Sequence, residues 1–237
     1  EGARIEGVTE QAQCIIEKYA LNGDAELQFR QLNKNLTELA DQNKGDSKNP
    51  LHRFVEAMGH IAALNRNSDY QVRFLADLLR RLLYANAVTA LESLLSDALL
   101  NGLRNDPGTL VRLTIQDDIF KDGKRFTLGV LLSSGRTPEE LAIERLRGVS
   151  FHKLELVSRL YKNAFDVTFP SDKELIEAIK NRHDIVHRNG VPNGEENARQ
   201  YAASEVMILI HCMQRFALEL FSLMPSVDWR EASPQKR

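Results

Sequence analysis

The sequence contains few cysteines and no long apolar segment. Its 237 residues include only two cysteines, Cys14 and Cys212. Two cysteines this far apart provide neither the ligand spacing of a zinc site nor a disulfide framework, so we expect reduced, buried thiols. No apolar run reaches the ~18 residues of a membrane span, and the first residues lack the apolar core of a signal peptide. These absences predict a cytoplasmic protein without membrane contacts.

The chain also lacks an excess of either charge. It carries 31 Lys and Arg against 33 Asp and Glu, a formal net charge of −2. A protein that binds nucleic acid through its overall charge would be basic, so any RNA binding must depend on a local patch. The apolar share of 43% is that of an ordinary globular protein. The length suits one large domain, or one domain with an extension.

Apolar residues recur at helical spacing through most of the chain, which predicts an all-α fold. The longest pattern runs from about Tyr70 to Leu103, with leucine or alanine at three- and four-residue intervals, and the polar segment 105–108 ends it. Segment 109–134 is ambiguous, and its partial alternation predicts a loop with short strands. Further helices are expected at about 8–20, 25–42, 51–65, 137–147, 150–163, 172–189 and 195–224.

The polar run between residues 41 and 50 predicts a linker. We therefore divide the chain into an N-terminal helical extension with its linker at 1–50, a helical domain at 51–225 and a polar tail at 226–237. The tail is rich in polar and charged side chains, so we expect it to fray.

Arginine, histidine and aspartate crowd together at one place, segment 182–189, with the sequence RHDIVHRN. The segment falls at the C-terminal end of a predicted helix. His183 and His187 lie one turn apart on one face of that helix. Arg182 is about 140° away from His187 around the axis. Joint action of Arg182 and His187 therefore calls for a second surface, such as a partner chain.

On residue chemistry alone, three interpretations of this segment remain open. It could be a solvated helix end, where cations interact favourably with the helix dipole. It could be a metal site, since histidines at i and i+4 can share one ion, although no convincing third ligand is found in the sequence. It could perform metal-free phosphodiester chemistry, with histidine as acid and base and arginine on the phosphate.

The same segment resembles the Arg-x4-His signature of the HEPN superfamily, and most closely its RiboL-PSP branch. The motif itself is RHDIVHRNG at 182–190. Segment 90–97, ALESLLSD, is similar to the first core helix of the family. Segment 149–155, VSFHKLE, is similar to the segment before its motif helix. The resemblance covers about 70–224.

This resemblance implies a short helical bundle that forms a homodimer, with two Arg-x4-His motifs across a shared cleft. It implies a metal-independent endoribonuclease without a cofactor, acting on an RNA substrate as a toxin or antiviral defence effector. Arg182 would stabilise the transition-state charge, His187 would be the acid or base, and His183 would occupy a commonly polar position. The family also contains members that have lost cleavage and serve as dimerisation or binding modules.

The resemblance leaves room for an antitoxin or other regulatory partner. Some toxin members carry a tyrosine two residues after the motif histidine, where this chain has Asn189. Modification of that tyrosine by a nucleotidyltransferase antitoxin is therefore not implied. We expect Asn189 and Asp184 to support the motif.

Glu92 lies within the apolar face of the longest predicted helix, where a charge needs a partner. Either it lies at the edge of the apolar stripe and reaches water, or it contacts and orients Arg182 or His187. His152 is interpreted as a packed residue at a helix start. A cationic RNA-binding surface, or equally a plain solvated face, is predicted for six further residues: Arg136, Arg145, Arg147, Lys153, Arg159 and Lys162.

Overall fold

The computed structural model describes residues 25–42, 49–121, 128–170, 173–224 and 226–230, and over these ranges it contains helices and no strand. The all-α prediction is confirmed. None of the described helices is long and apolar enough to cross a membrane. The helices are α1 (Ala25–Gln42), α2 (Pro50–Ser68), α3 (Arg73–Asn105), α4 (Pro107–Gln116), α5 (Leu128–Ser134), α6 (Pro138–Arg147), α7 (Leu154–Phe165), α8 (Lys173–Arg188) and α9 (Ala203–Ser222).

The 33-residue helix α3 is the central element of the bundle. Helices α2, α8 and α9 pack along it, and α4, α6 and α7 also contact it. Its buried side chains include Leu91, Leu95 and Leu99, which recur every four residues and form one inward stripe. Burying a leucine stabilises the fold by about 1.5–3 kcal/mol, so this stripe holds the neighbouring helices against α3.

The first described helix shares the core of the rest of the protein. Helix α1 packs against α9 and α2, and Phe29, Leu36 and Ala40 belong to the same apolar cluster as the later helices. The described part of the predicted extension at 1–50 is therefore packed into the helical domain rather than set apart from it. The predicted helix at 8–20 and linker residues 43–48 lie outside the described residues.

The prediction of a loop with short strands at 109–134 is wrong for the described part of that segment. Helix α4 is followed by a 3-10 turn at Asp118–Phe120, and then by α5. The side chain of Asp106 accepts a hydrogen bond from the backbone N–H of Thr109 at 3.1 Å, and Pro107 is in the first turn. Asp106, which directly follows α3, therefore also caps the N-terminus of α4.

The segment after Pro225 is not the frayed polar tail that we predicted, at least over residues 226–230. Trp229 is 1% exposed and packs edge-on against Phe221, with ring centroids 5.0 Å apart. The Trp229 carbonyl accepts a hydrogen bond from the Asn101 side chain at 3.0 Å. One large apolar side chain outweighs its polar neighbours because its burial removes so much surface from water.

Some helix boundaries also differ from the predicted ones. Helix α6 begins as expected, with a capping box between Thr137 and Glu140. Helix α7 begins at Leu154 rather than near 150, and α9 begins at Ala203 rather than near 195. Residues 191–202 form an irregular strap between α8 and α9. Residues 171 and 172, at the predicted start of the motif helix, lie outside the described residues, as does Cys14. Cys212 is buried, and its thiol donates to Oε2 of Glu174 at 3.5 Å.

Candidate functional site

Helix α8 carries the Arg-x4-His segment at its C-terminal end. Leu175 and Ala178 face the core, whereas His183, Val186 and His187 are exposed. The helix packs on α3 on one side and on α9 on another. Its amphipathic pattern therefore orients the two imidazoles outward, because the apolar stripe must face the core.

The end of α8 is tied to α3 through backbone atoms. Asn189 and Gly190 have φ values of 54° and 83°, and the Gly190 N–H donates to the Asp184 carbonyl at 2.9 Å. Nη1 of Arg81 donates to the Asn189 carbonyl at 2.8 Å. A Cβ on residue 190 would lie 2.9 Å from Cδ of Arg81. Glycine therefore suits position 190 in both conformation and space. Asn189 contributes its carbonyl group to the contact with Arg81.

Glu92 on α3 lies against Arg182 on α8. Their side chains are 17% and 20% exposed, and Nη2 of Arg182 is 3.7 Å from Oε2 of Glu92. Oε1 of Glu92 and Nε of Arg182 are buried and have no hydrogen-bond partner among the described residues. Of the two readings of Glu92, the structure places its carboxylate against Arg182 rather than in open water.

The electrostatic environment of Glu92 is set mainly by burial. Burial raises the pKa of this carboxyl, and the positive charges of Arg182 and His152 oppose the rise. The two cationic neighbours therefore offset part of the cost of burying this carboxylate.

The two motif histidines are in contact with each other. The ring centroids of His183 and His187 are 4.5 Å apart and the ring planes are inclined by 44°. No hydrogen bond or ion pair joins either ring to Arg182 among the described residues. The segment thus presents two groups on one helix: Arg182 beside α3, and a histidine pair on the exposed side.

Asp184 pairs with Arg188 rather than with a histidine. Its Oδ1 lies 3.6 Å from Nη1 of Arg188, one turn later on α8. Burial is the main cause of the raised pKa of Tyr201, and the negative charge of Asp184 adds to it. Asp184 therefore neutralises part of the cationic helix end and faces the strap that follows it.

His152, which was expected to be a packed residue, is exposed and contributes positive charge to the surroundings of Glu92. Its charge acts on Glu92, so it lies on the same side of the bundle as Arg182. Its ring is exposed and contacts Oγ of Ser150 at 2.9 Å. The signal that could have found it is segment 149–155, one of the three that carry the family resemblance.

Most of the cations proposed as an RNA-binding surface are engaged within the protein. Arg136 forms an ion pair with Glu144, and Nε of Arg145 donates to the Ile119 carbonyl. Two more ion pairs join Arg159 to Asp117 at 3.1 Å and Lys162 to Asp166 at 2.6 Å. These contacts favour the reading of a solvated, internally paired face.

A cavity of about 610 Å³ lies away from the motif. It opens at the C-terminal end of α3, where Gly102, Asn105 and Arg112 line it. Gly102 is about 15 Å along the helix from Glu92. Among the described residues, no group of three or more His, Cys, Asp and Glu side chains is arranged to hold a metal ion.

Comparison with known proteins identifies no relative of this chain. No protein-family model matches it, and neither a curated protein nor a solved structure is found to be similar. The resemblance to the HEPN superfamily therefore rests on segments 90–97, 149–155 and 182–190 of the sequence alone.

Proposed function

We propose that this protein is a metal-independent endoribonuclease of the HEPN type. In this proposal it acts in the cytoplasm as a homodimer, as a toxin or antiviral defence effector. The observation that carries the proposal is the end of α8, which presents Arg182 on its α3 side and two exposed imidazoles in ring contact on another face. An arginine and two histidines provide every group that metal-free RNA cleavage requires.

The proposed reaction uses the nucleophile that RNA itself contains. A histidine accepts the proton of a 2′-hydroxyl as its oxygen forms a bond to the adjacent phosphorus. The bond from phosphorus to the 5′-oxygen breaks, and a second imidazole donates a proton to that oxygen. The products are a 2′,3′-cyclic phosphate and a 5′-hydroxyl, with no external oxidant or metal. We assign the acid and base roles to His187 and His183.

Arg182 is assigned to the phosphoryl oxygens, where negative charge increases in the transition state. Its planar guanidinium can donate two parallel hydrogen bonds to phosphate. Glu92 would hold the guanidinium on the α3 side of the helix, since their charged atoms are 3.7 Å apart. The 20% of the side chain that is exposed is the part that RNA would contact.

A second copy would bring Arg182 and His187 to one substrate, because the two side chains point in different directions from a single helix. The surface beside the motif supports such a contact. Val186 is 51% exposed, and other large apolar side chains are exposed on α8, at the N-terminal part of α3 and in the residues just before α3. Exposed apolar patches of this kind are typical of protein–protein interfaces. They are Tyr70, Val72, Phe74, Leu75, Leu82 and Ile176.

A catalytically silent dimer that binds RNA or protein is the alternative. The ion pair with Glu92 favours it, since a guanidinium already paired with a carboxylate is less available to phosphate. An activity assay separates the two functions.

The test is incubation of the purified protein with mixed cellular RNA in the presence of EDTA. We expect cleavage that survives chelation and is lost in His187→Ala. His60→Ala is the matched control, because His60 is an exposed histidine on α2, and it should cleave as well as the wild type. Absence of cleavage with stable RNA binding would favour the alternative, and loss in EDTA with rescue by zinc or manganese would overturn the proposed mechanism.

A further inference from the structure

Behind the motif helix lies a buried polar network that joins four elements. Nδ2 of Asn181, on α8, donates to the hydroxyl of Tyr84 on α3 at 3.2 Å. Nη1 of Arg199, in the strap, donates to Oδ1 of Asn181 at 3.2 Å, and Nη2 donates to Oε1 of Glu205 on α9 at 3.1 Å. Buried polar groups are costly unless they are paired, so these contacts specify one arrangement of the four elements.

Arg199 holds the motif helix at two points. Its side chain contacts Asn181, the residue immediately before Arg182. Its backbone N–H donates to the Gly190 carbonyl at 2.8 Å, just beyond the end of α8. Glu205 completes the attachment, because its second oxygen accepts a hydrogen bond from the Ala202 N–H at 2.8 Å.

The charge of Arg199 is well compensated. Its guanidinium lies 5.0 Å from the centre of the Tyr201 ring, and the side chain of Glu205 is only 6% exposed. Burial raises the pKa of Tyr84 to about 12, and burial also raises the pKa of Tyr201. Both hydroxyls stay protonated at neutral pH, so the hydrogen bonds of the network persist at that pH.

We infer that Arg199 is a positioning residue that, together with the buried apolar face of α8, fixes the rotation of the C-terminal end of this helix, and with it the direction of Arg182 and the histidine pair. Adjacent residues are about 100° apart around a helix. Because this angle is constant, holding Asn181 against Tyr84 and Arg199 also fixes the direction in which Arg182 leaves the helix. The contact of Arg182 with Glu92, at 3.7 Å, has no accompanying hydrogen bond, so it contributes little to holding this rotation. The effect on activity rests on the proposed ribonuclease function, but the geometry does not.

The test compares Arg199→Met with Arg199→Lys and Arg215→Met. Lysine keeps the charge but loses the forked geometry of arginine. Arg215 is the matched control, because it also connects α9 to α8, through Glu174 at 3.4 Å, but at the opposite end of α8. Tyr84→Phe removes only the hydroxyl that accepts from Asn181, and it carries the test if Arg199→Met fails to fold.

Two readouts are measured. The first is the NMR signals of the His183 and His187 rings, which report helix rotation whether or not RNA is cleaved. The second is the separation of kcat from KM on RNA. We expect Arg199→Met and Tyr84→Phe to shift both ring signals and to lower kcat about 10- to 100-fold, since small misplacements can cost this much. KM should change little, Arg199→Lys should be intermediate, and Arg215→Met should change neither readout.

Unchanged ring signals in folded Arg199→Met, or equal effects of Arg215→Met, would overturn the inference. If the wild type cleaves no RNA, the proposed function fails. Shifted ring signals in Arg199→Met but not in Arg215→Met would then still support the positioning role.

Discussion

Glu92 and Arg182, which are 90 positions apart in the sequence, form a partly buried ion pair between α3 and α8 with a separation of 3.7 Å. Each contributes one buried atom, Oε1 or Nε, without a hydrogen-bond partner among the described residues. The pair therefore has unused hydrogen-bonding capacity at the point where the exposed motif meets the bundle. In the proposed reaction a phosphate oxygen would accept from the exposed part of the Arg182 side chain, while Glu92 holds the guanidinium beside α3.

The products of RNA cleavage test the proposed use of the 2′-hydroxyl. Fragments should end in 2′,3′-cyclic phosphate and 5′-hydroxyl, and a single 2′-deoxy nucleotide at the cut site should block cleavage there. Mass spectrometry of the fragments identifies both ends. Fragments with 5′-phosphate ends would contradict the mechanism.

Arg182→Lys separates catalysis from a solvated helix end. Lysine keeps the positive charge but cannot make the two-pronged contact with phosphate. We expect kcat/KM to fall by about 10²-fold or more, in the range of one lost electrostatic donor, while the circular dichroism spectrum stays that of the wild type. Arg188→Lys, six residues further along α8 and more exposed, serves as the control. Full activity of Arg182→Lys would show that the guanidinium plays no part in the reaction.

Glu92 should make the stability of the protein depend on pH. Burial raises its pKa above the ordinary value of 4.5, against the opposing charges of Arg182 and His152. The folded protein therefore binds this proton more tightly than the unfolded chain. The contribution of Glu92 to the free energy of unfolding is fully present below pH 4.5 and is lost as the pH rises through the raised value.

Urea denaturation of the wild type and Glu92→Gln measures this dependence. The difference in unfolding free energy should move in favour of the wild type as the pH falls across that window. A difference that stays constant with pH would show that the Glu92 pKa is not perturbed in the folded state.

Val186→Asp should weaken the proposed dimer. Val186 is 51% exposed on α8 beside the motif, and a charge placed inside an apolar interface must be desolvated without a partner. Light scattering at micromolar concentration should show a dimer for the wild type and a larger monomer fraction for Val186→Asp. Val111→Asp is the control, because Val111 is similarly exposed on the distant helix α4. A monomeric wild type would refute the dimer itself.

Trp229→Ala should destabilise the protein by about 3–5 kcal/mol, as expected when a fully buried aromatic side chain is removed. The ring is packed against Phe221 of α9, and the Trp229 carbonyl accepts from Asn101 near the C-terminal end of α3. Leu223→Ala, at a side chain that is 55% exposed, should cost far less. Chemical denaturation compares the two variants, and similar small losses would mean that residues after Pro225 do not belong to the core.

The sequence by itself determined the helical nature of the protein and the position of its motif. Leucines and alanines spaced three and four residues apart can bury one face only as helices, so α3 was predicted within a few residues of its observed ends. The sequence also predicted that the motif helix ends near residue 189. The structure agrees, because Asn189 and Gly190 adopt positive φ values directly after α8. The prediction for segment 109–134 was wrong because Val111, Leu113 and Ile115 alternate as they would in a strand. In the structure they lie on one helix, with Leu113 buried and the other two exposed.

Only the tertiary structure decided which side chains surround the motif. The contacts of Glu92 with Arg182 and of Arg199 with Asn181 join separate elements, and no periodicity in the sequence encodes such pairs. They follow from how α3, α8 and the strap pack, because burial of each apolar face sets which polar groups are left opposite one another. Trp229 shows the same dependence: its neighbours in sequence are polar, but a bundle end provides the space that its ring fills.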